Sequence, residues 1–308
     1  MLKHILLSLG CLASALQASV EFPSNRLIET RVKFWEQIFA RYGSHQTVVH
    51  DKDNLALILG ILDPTAHGID PLDTLAGERF NQLGLRNYEK ILADFASLGQ
   101  DARFKGPLAA AIWRIYGRDP LSTQRLLRGQ VAIRTQGGLA DTFQTAAAKA
   151  ELYLPQMEQI FRQHSLPTDL TRLVFVESMF NLRARSKVGA SGFWQLMPQT
   201  ARSFIKVNHQ VDERNSPLLA TRAAARIMQE NYRQLQTWPL AITAYNHGLG
   251  GTQRAVHRLG SQNLAVIIED YQSPSFGFAS RNFYAEFLAA LRVHRGYQAR
   301  LRKKNSAT

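Results

Sequence analysis

The chain has 308 residues, with 37 Lys and Arg against 24 Asp and Glu, a formal net charge of +13 and 45% hydrophobic residues. That length and composition allow one large domain or two modest ones with real cores, and they exclude a low-complexity or disordered chain. Strong basicity favours an anionic polymer as partner, although charge alone does not choose among nucleic acid, anionic lipid and cell-wall material.

Residues 1–18 have a basic start at Lys3 and His4, an apolar run from Ile5 to Leu16, and small residues at Ala13, Ser14, Ala15 and Ala18. This is the layout of a secretory signal peptide, and the run is too short to span a bilayer. The mature protein is therefore expected outside the cytoplasm, in the periplasm, where nucleic acid is the poorest fit among the three partners. The only cysteine, Cys11, follows Ser8-Leu9-Gly10, which is out of register for a lipobox. Cys11 is expected to leave with the leader rather than carry lipid, so no disulfide would staple the exported chain.

From 19 to 145 the apolar residues recur with a helical period. One stripe runs through Val32, Trp35, Ile38, Phe39 and Tyr42, a second through Tyr88, Ile91, Leu92 and Phe95, and a third through Leu108, Ala111, Ile112 and Ile115. Asp63-Pro64, Asp70-Pro71 and Gly106-Pro107 punctuate them. The spacing predicts a helical N-terminal region whose aromatic stripes form core. Asp51-Lys52-Asp53-Asn54 begins like a calcium loop, but Ala56 and Leu62 stand where that loop needs Gly and Glu. The histidines are scattered without a close helical pair, so neither a metal nor a cofactor is expected.

A further stripe from Phe143 through Leu154, Met157 and Phe161 leads into a second region, 146–295, and makes the predicted fold class all-α. The remaining residues, 296–308, read as a basic C-terminal tail without fixed structure.

Within 146–295, Pro167-Thr168-Asp169 marks a helix start, and Leu170, Leu173 and Val174 define its buried face. The next position on that face is Glu177. A carboxyl there is costly in its ionised form, so its pKa should rise, which suits a general acid near neutral pH. A buried glutamate satisfied by an arginine accounts for the periodicity equally well. Five carboxylates lie between Ser165 and Gly250. Asp169 suits the helix N-terminus, Glu230 lies within a turn of Arg226 and Arg233, and Asp212 and Glu213 precede a turn and are expected to be exposed. Only Glu177 falls where its surroundings would tune it.

A later helix opens at Pro239 and carries Trp238, Ala241, Ile242 and Tyr245 on one face, which turns the Tyr245 phenol inward, with Glu177 a plausible partner. Between the two helices, Val188-Gly189-Ala190-Ser191-Gly192-Phe193-Trp194-Gln195 fits either a close approach of backbone to ligand or a plain tight turn. Gly248-Leu249-Gly250-Gly251 follows a helix and reads as its cap rather than a phosphate loop.

Three ordered elements carry a resemblance: Glu177-Ser178, the run from Ser186 through Gln195-Leu196-Met197-Pro198, and Ala244-Tyr245-Asn246. Together they resemble the signatures of soluble lytic transglycosylase catalytic domains, and Phe193-Trp194 with Asp212-Glu213-Arg214 points to the branch of membrane-bound lytic murein transglycosylase D. The resemblance covers roughly residues 150–292. It implies a mostly helical, lysozyme-like fold that cuts peptidoglycan glycan strands, with Glu177 acting first as acid and then as base to leave 1,6-anhydro ends. It further implies that Ser186 and Gln195 bind sugar, Tyr245 holds Glu177, Met197 and Asn246 shape the groove, and Ser178 supports the catalytic loop. The family often has a later tyrosine at the position of Phe283. Either Tyr284 supplies that hydroxyl from a shifted position or it is absent. The rivals are a hydrolytic muramidase using Asp212 or Glu213 to direct water, and an idle glycan-binding protein on the same fold.

Overall fold

The computed structural model describes residues 22–306. The leader reading and Cys11 lie outside these residues. Among the described residues no helix is long and apolar enough to cross a membrane, and no group of three or more His, Cys, Asp or Glu is arranged to hold a metal ion.

Helix α1 (Arg26–Ala40) is capped by the Asn25 side chain, which accepts from the Ile28 amide at 3.0 Å. Strands β1 (Thr47–Asp51) and β2 (Ile58–Leu62) follow, then α2 (Thr74–Leu98), α3 (Pro107–Tyr116), α4 (Pro120–Leu127) and strand β3 (Ile133–Gly137). Helix α5 (Ala140–Gln163) leads to the short α6 (Leu173–Ser178) and α7 (Pro198–Ala201). The chain ends with α8 (Pro217–Leu235), α9 (Trp238–His247), α10 (Leu249–Leu259), α11 (Leu264–Asp270) and α12 (Phe278–Asn305). Helices dominate, as the periodicity predicts.

Three features differ from the sequence expectation. The N-terminal region is not purely helical, because β2, β1 and β3 form an antiparallel sheet in that order. Alternation along β1 divides the protein into two cores: Val48 faces the larger one with α1, α5 and α12, while Val49 faces a smaller one with α2, α3 and α4. Asp51 closes β1, and Lys52 to Asn54 begin the connection to β2. The Asp51 carboxylate accepts from the Asp53 and Asn54 amides and is held by Tyr116 Oη at 3.0 Å and Arg125 at 3.3 Å, so its oxygens serve the fold rather than a cation.

The boundary at 145/146 falls inside α5, and α1 packs along α12 within the larger core. The N-terminal helix is thus part of the body that holds the C-terminal half. Finally, residues 296–305 are not a loose tail. They continue α12, because Val293 and Tyr297 still pack on the larger core.

Candidate active site

Leu170, Leu173, Val174 and Phe175 are buried in the larger core and anchor a 3-10 turn (Thr168–Arg172) running into α6. The helix stops one residue after Glu177, where Met179 and Phe180 both adopt left-handed backbone (φ 49° and 53°). The stop leaves Glu177 half-buried, with its carboxyl free of any hydrogen bond or ion pair among the described residues. Arg172, the nearest arginine on this segment, is bound to Glu158 and the Thr168 carbonyl instead. The arginine-satisfied reading of Glu177 therefore falls.

Ser178 turns its hydroxyl to the Phe193 carbonyl at 2.9 Å and ties α6 to the 184–197 loop. That loop is tightly determined. Gly192 has φ 74°, and a Cβ there would sit 2.1 Å from the Arg214 carbonyl oxygen, so only glycine fits. Trp194 is fully buried against Phe161, and its Nε1 donates to Thr221 Oγ1 at 2.9 Å. Gln195, left-handed at φ 44°, donates its amide to the carbonyls of Gly192 (2.8 Å) and Ala184 (3.1 Å), leaving its Oε1 for a ligand. Ser186 Oγ accepts from the Ala190 amide at 2.9 Å and keeps its own proton to donate. Met197 is 41% exposed beyond the loop's end.

On the facing side, the Tyr245 hydroxyl donates to the Trp194 carbonyl at 2.9 Å. Its one proton is spent there, so Tyr245 holds the loop and does not donate to Glu177. The ring still lies close enough that the Glu177 charge, second to burial, raises the phenol pKa well above its ordinary value. Exposed Asn246 accepts from Ser280 Oγ at 2.8 Å, which ties α9 to α12. Phe283 stacks on Tyr245 (centroids 6.5 Å, planes 8° apart), whereas the Tyr284 hydroxyl points away to the Pro23 carbonyl at 2.9 Å. Tyr284 does not replace the missing hydroxyl.

Asp212 and Glu213 are half-buried rather than exposed. Asp212 is clamped by Arg214 at 2.7 Å, which holds its pKa below the usual carboxylate value, and Glu213 accepts from the Lys206 amide at 2.6 Å. Asp212, with both oxygens on Arg214, is not free to direct water, and Glu213 is tied through one oxygen to the segment that follows α7.

Glu286 was missed by sequence reasoning. It lies one turn beyond Phe283 on α12, which packs against α6, and it too is half-buried without a hydrogen bond or ion pair among the described residues. Glu286 lies beyond the 165–250 stretch in which Glu177 is the only carboxyl on a buried face. A signal was available, because Glu286 interrupts an apolar row and the positions three and four away (Asn282, Phe283, Ala289, Ala290) offer no cation. Burial pushes the Glu286 pKa up to about 8. Burial first, and then the Glu286 charge, push Glu177 up to about 8 as well. Two unneutralised carboxyls thus share one site and titrate as a pair that retains a proton at neutral pH.

Residues 157–268 match the transglycosylase SLT domain family. This segment is a transglycosylase SLT domain. The SLT domain contains Glu177, the 184–197 loop and Tyr245, whereas Glu286 and α1 lie outside the matched stretch. Over 110 residues the chain is 32% identical to membrane-bound lytic murein transglycosylase D of Escherichia coli (strain K12), a match covering 35% of this chain and 24% of that protein. It is also 32% identical over 125 residues to a protein of Alteromonas sp. (strain M-1) named for tributyltin chloride resistance, covering 40% of this chain and 60% of the other. The chain thus spans about a quarter of the length of the transglycosylase D it matches. Among solved structures, the 70 kDa soluble lytic transglycosylase of Escherichia coli aligns with 74% of this chain and 36% of its own at 17% identity, with a TM-score of 0.40.

Proposed function

We propose that this protein is an exported peptidoglycan lytic transglycosylase that cleaves the β-1,4 bond between N-acetylmuramic acid and N-acetylglucosamine and leaves 1,6-anhydro ends. The observation that carries the proposal is Glu177, a half-buried carboxyl without a partner, held protonated at neutral pH at the stop of α6 beside a braced loop. In this reading Glu177 donates its proton to the glycosidic oxygen as the C1–O4 bond breaks. The carboxylate so formed then removes the proton of the muramyl C6 hydroxyl as that oxygen bonds to C1, so the acid is regenerated and no water is consumed. Ser186 and the free Oε1 of Gln195 would hydrogen-bond the sugars, with Met197 and Asn246 on the flanks of the site. Tyr245 and Ser178 position the loop and Glu177 rather than touch the glycan.

Glu286 supports a second reading. Two adjacent carboxyls are the usual equipment of a hydrolase, and an ionised Glu286 could direct water onto C1. Digestion of purified cell wall by the mature protein, with mass analysis of the fragments, separates the readings. Anhydro-ended products are expected; reducing-end sugars would favour hydrolysis, and no products would leave only a glycan-binding protein.

Glu286→Gln tests the pair. Removing the like charge lowers the pKa of Glu177, so the alkaline limb of the pH–rate profile should move to lower pH while anhydro products persist. An unchanged limb would show that the two carboxyls do not interact, and loss of products at every pH would transfer the second role to Glu286.

A further inference from the structure

A cavity of about 540 Å³ lies away from Glu177, between α1, the β1–β2 turn, α11 and the start of α12. Its wall includes Arg31, which is only 8% exposed. Arg31 Nη1 donates to Asn282 Oδ1 at 2.9 Å, its Nε is buried with no acceptor, and no carboxylate lies within ion-pair reach of it among the described residues. A buried guanidinium with no carboxylate in contact is costly, and here burial and the neighbouring Arg281 bring its pKa down to about 10 against the smaller opposing pull of Glu269 and Asp53 at longer range.

Arg281 shares the same wall. It donates to the backbone carbonyls of Phe276, Ile268 and Tyr271, neutral acceptors that fix its position and leave its charge uncompensated. Exposed Lys52 adds a third cation. Of the two carboxylates on the wall, Asp53 is taken by Arg125 at 3.2 Å, and Glu269 is exposed and pairs with neither arginine. The N-terminus of α12 also opens here. Its N-cap is Gly277, which has no side chain to satisfy the first-turn amides, and Gly277 and Phe278 line the cavity. An uncapped helix start with free amides and a positive dipole end is itself an anion receptor.

We infer that this cavity is an oxyanion site, built to take a phosphate or carboxylate group between Arg31, Arg281 and the N-terminus of α12. The guanidinium and amide donors match the oxygens of such a group, and its charge supplies the contacting anion that Arg31 lacks. The site is independent of the glycan-cleaving centre, so its test needs no enzymatic activity.

The test is thermal unfolding of the full chain titrated with inorganic phosphate or with acetate, against sodium chloride of equal ionic strength. Phosphate stabilises many proteins by exclusion from their surface, so the discriminating quantity is the difference between wild type and Arg31→Met. Wild type should show a saturable rise in Tm. Arg31→Met should lose the saturable part; in chloride alone the relief of a buried charge is opposed by the loss of the donor to buried Asn282 Oδ1, so the reading is the phosphate-dependent change of each protein relative to its own chloride value. The exposed Lys52→Ala should weaken apparent affinity about threefold or more with the fold intact, which keeps the test open if Arg31→Met does not fold. A response to phosphate alone assigns the site to phosphate-bearing ligands, and a response to acetate as well extends it to carboxylates. A wild-type response that is linear in phosphate, or one that both variants retain in full, would overturn the inference.

Discussion

Glu177→Gln should abolish glycan cleavage, with kcat falling on the order of 10³-fold or more, and should at the same time stabilise the protein at neutral pH. The first effect follows from removing the only group proposed to transfer a proton to the leaving oxygen. The second follows from linkage. A carboxyl whose pKa is about 4.5 unfolded and about 8 folded binds more protons in the folded state between those values. Its contribution is therefore neutral below pH 4.5 and becomes increasingly destabilising as pH rises towards 8. Glutamine carries no charge and avoids that cost, so the variant should gain about 2 kcal/mol near pH 8, allowing for the partial exposure of the carboxyl. The gain should shrink to nothing near pH 4.5. Urea unfolding at the two pH values, with cleavage assayed on the same preparations, measures both effects. Retained cleavage would remove Glu177 from the reaction, and a pH-independent stability difference would show that its carboxyl is not held protonated. Loss of function with gain of stability at one position is the signature of a site strained for its chemistry.

Glu177 is legible in the sequence because Leu170, Leu173 and Val174 fix a buried face, and a short helix of known period carries that face to the carboxyl. The partners of Glu177 are not legible, because they depend on where other helices land. The helical period turns Tyr245 inward, but which oxygen its single proton meets is decided across 51 residues, at the Trp194 carbonyl. Phe283 and Tyr284 are adjacent and point about 100° apart on a helix, so only the packing of α12 shows which of them faces the site. Glu286 reaches the site by the same packing, beyond the stretch that carries the three motifs. Strands β1 and β2 are five residues each, too short for alternation to outweigh the surrounding helical pattern.

Arg214→Ala should be the most damaging substitution outside the Glu177 and Glu286 carboxyls. Arg214 is 7% exposed and its guanidinium meets four acceptor oxygens: Nε and Nη2 grip both oxygens of Asp212 at 2.8 and 2.7 Å, and Nη1 donates to the carbonyls of Gly189 at 2.7 Å and Leu196 at 2.9 Å. The two carbonyls lie at either end of the segment that carries Gly192, Trp194 and Gln195, so one side chain closes the loop. Alanine would remove the ion pair of Asp212 and the donor to the Gly189 carbonyl, and would leave the Leu196 carbonyl with the Ser191 amide alone, at a cost of about 3–5 kcal/mol. Lysine keeps the charge but offers no planar fork, so Arg214→Lys should recover only part of that loss. Asp212→Asn should cost less than Arg214→Ala, because the carbonyls keep their donor, and the double variant should fall well short of the sum of the two single losses. Cleavage should fall with stability, because Gln195 and the Trp194 carbonyl that receives the Tyr245 proton are set by the closed loop. Chemical denaturation of the four proteins measures the cycle. Additive losses, or a change below about 1 kcal/mol for Arg214→Ala, would show that the loop is held by its own backbone and that the arginine is incidental.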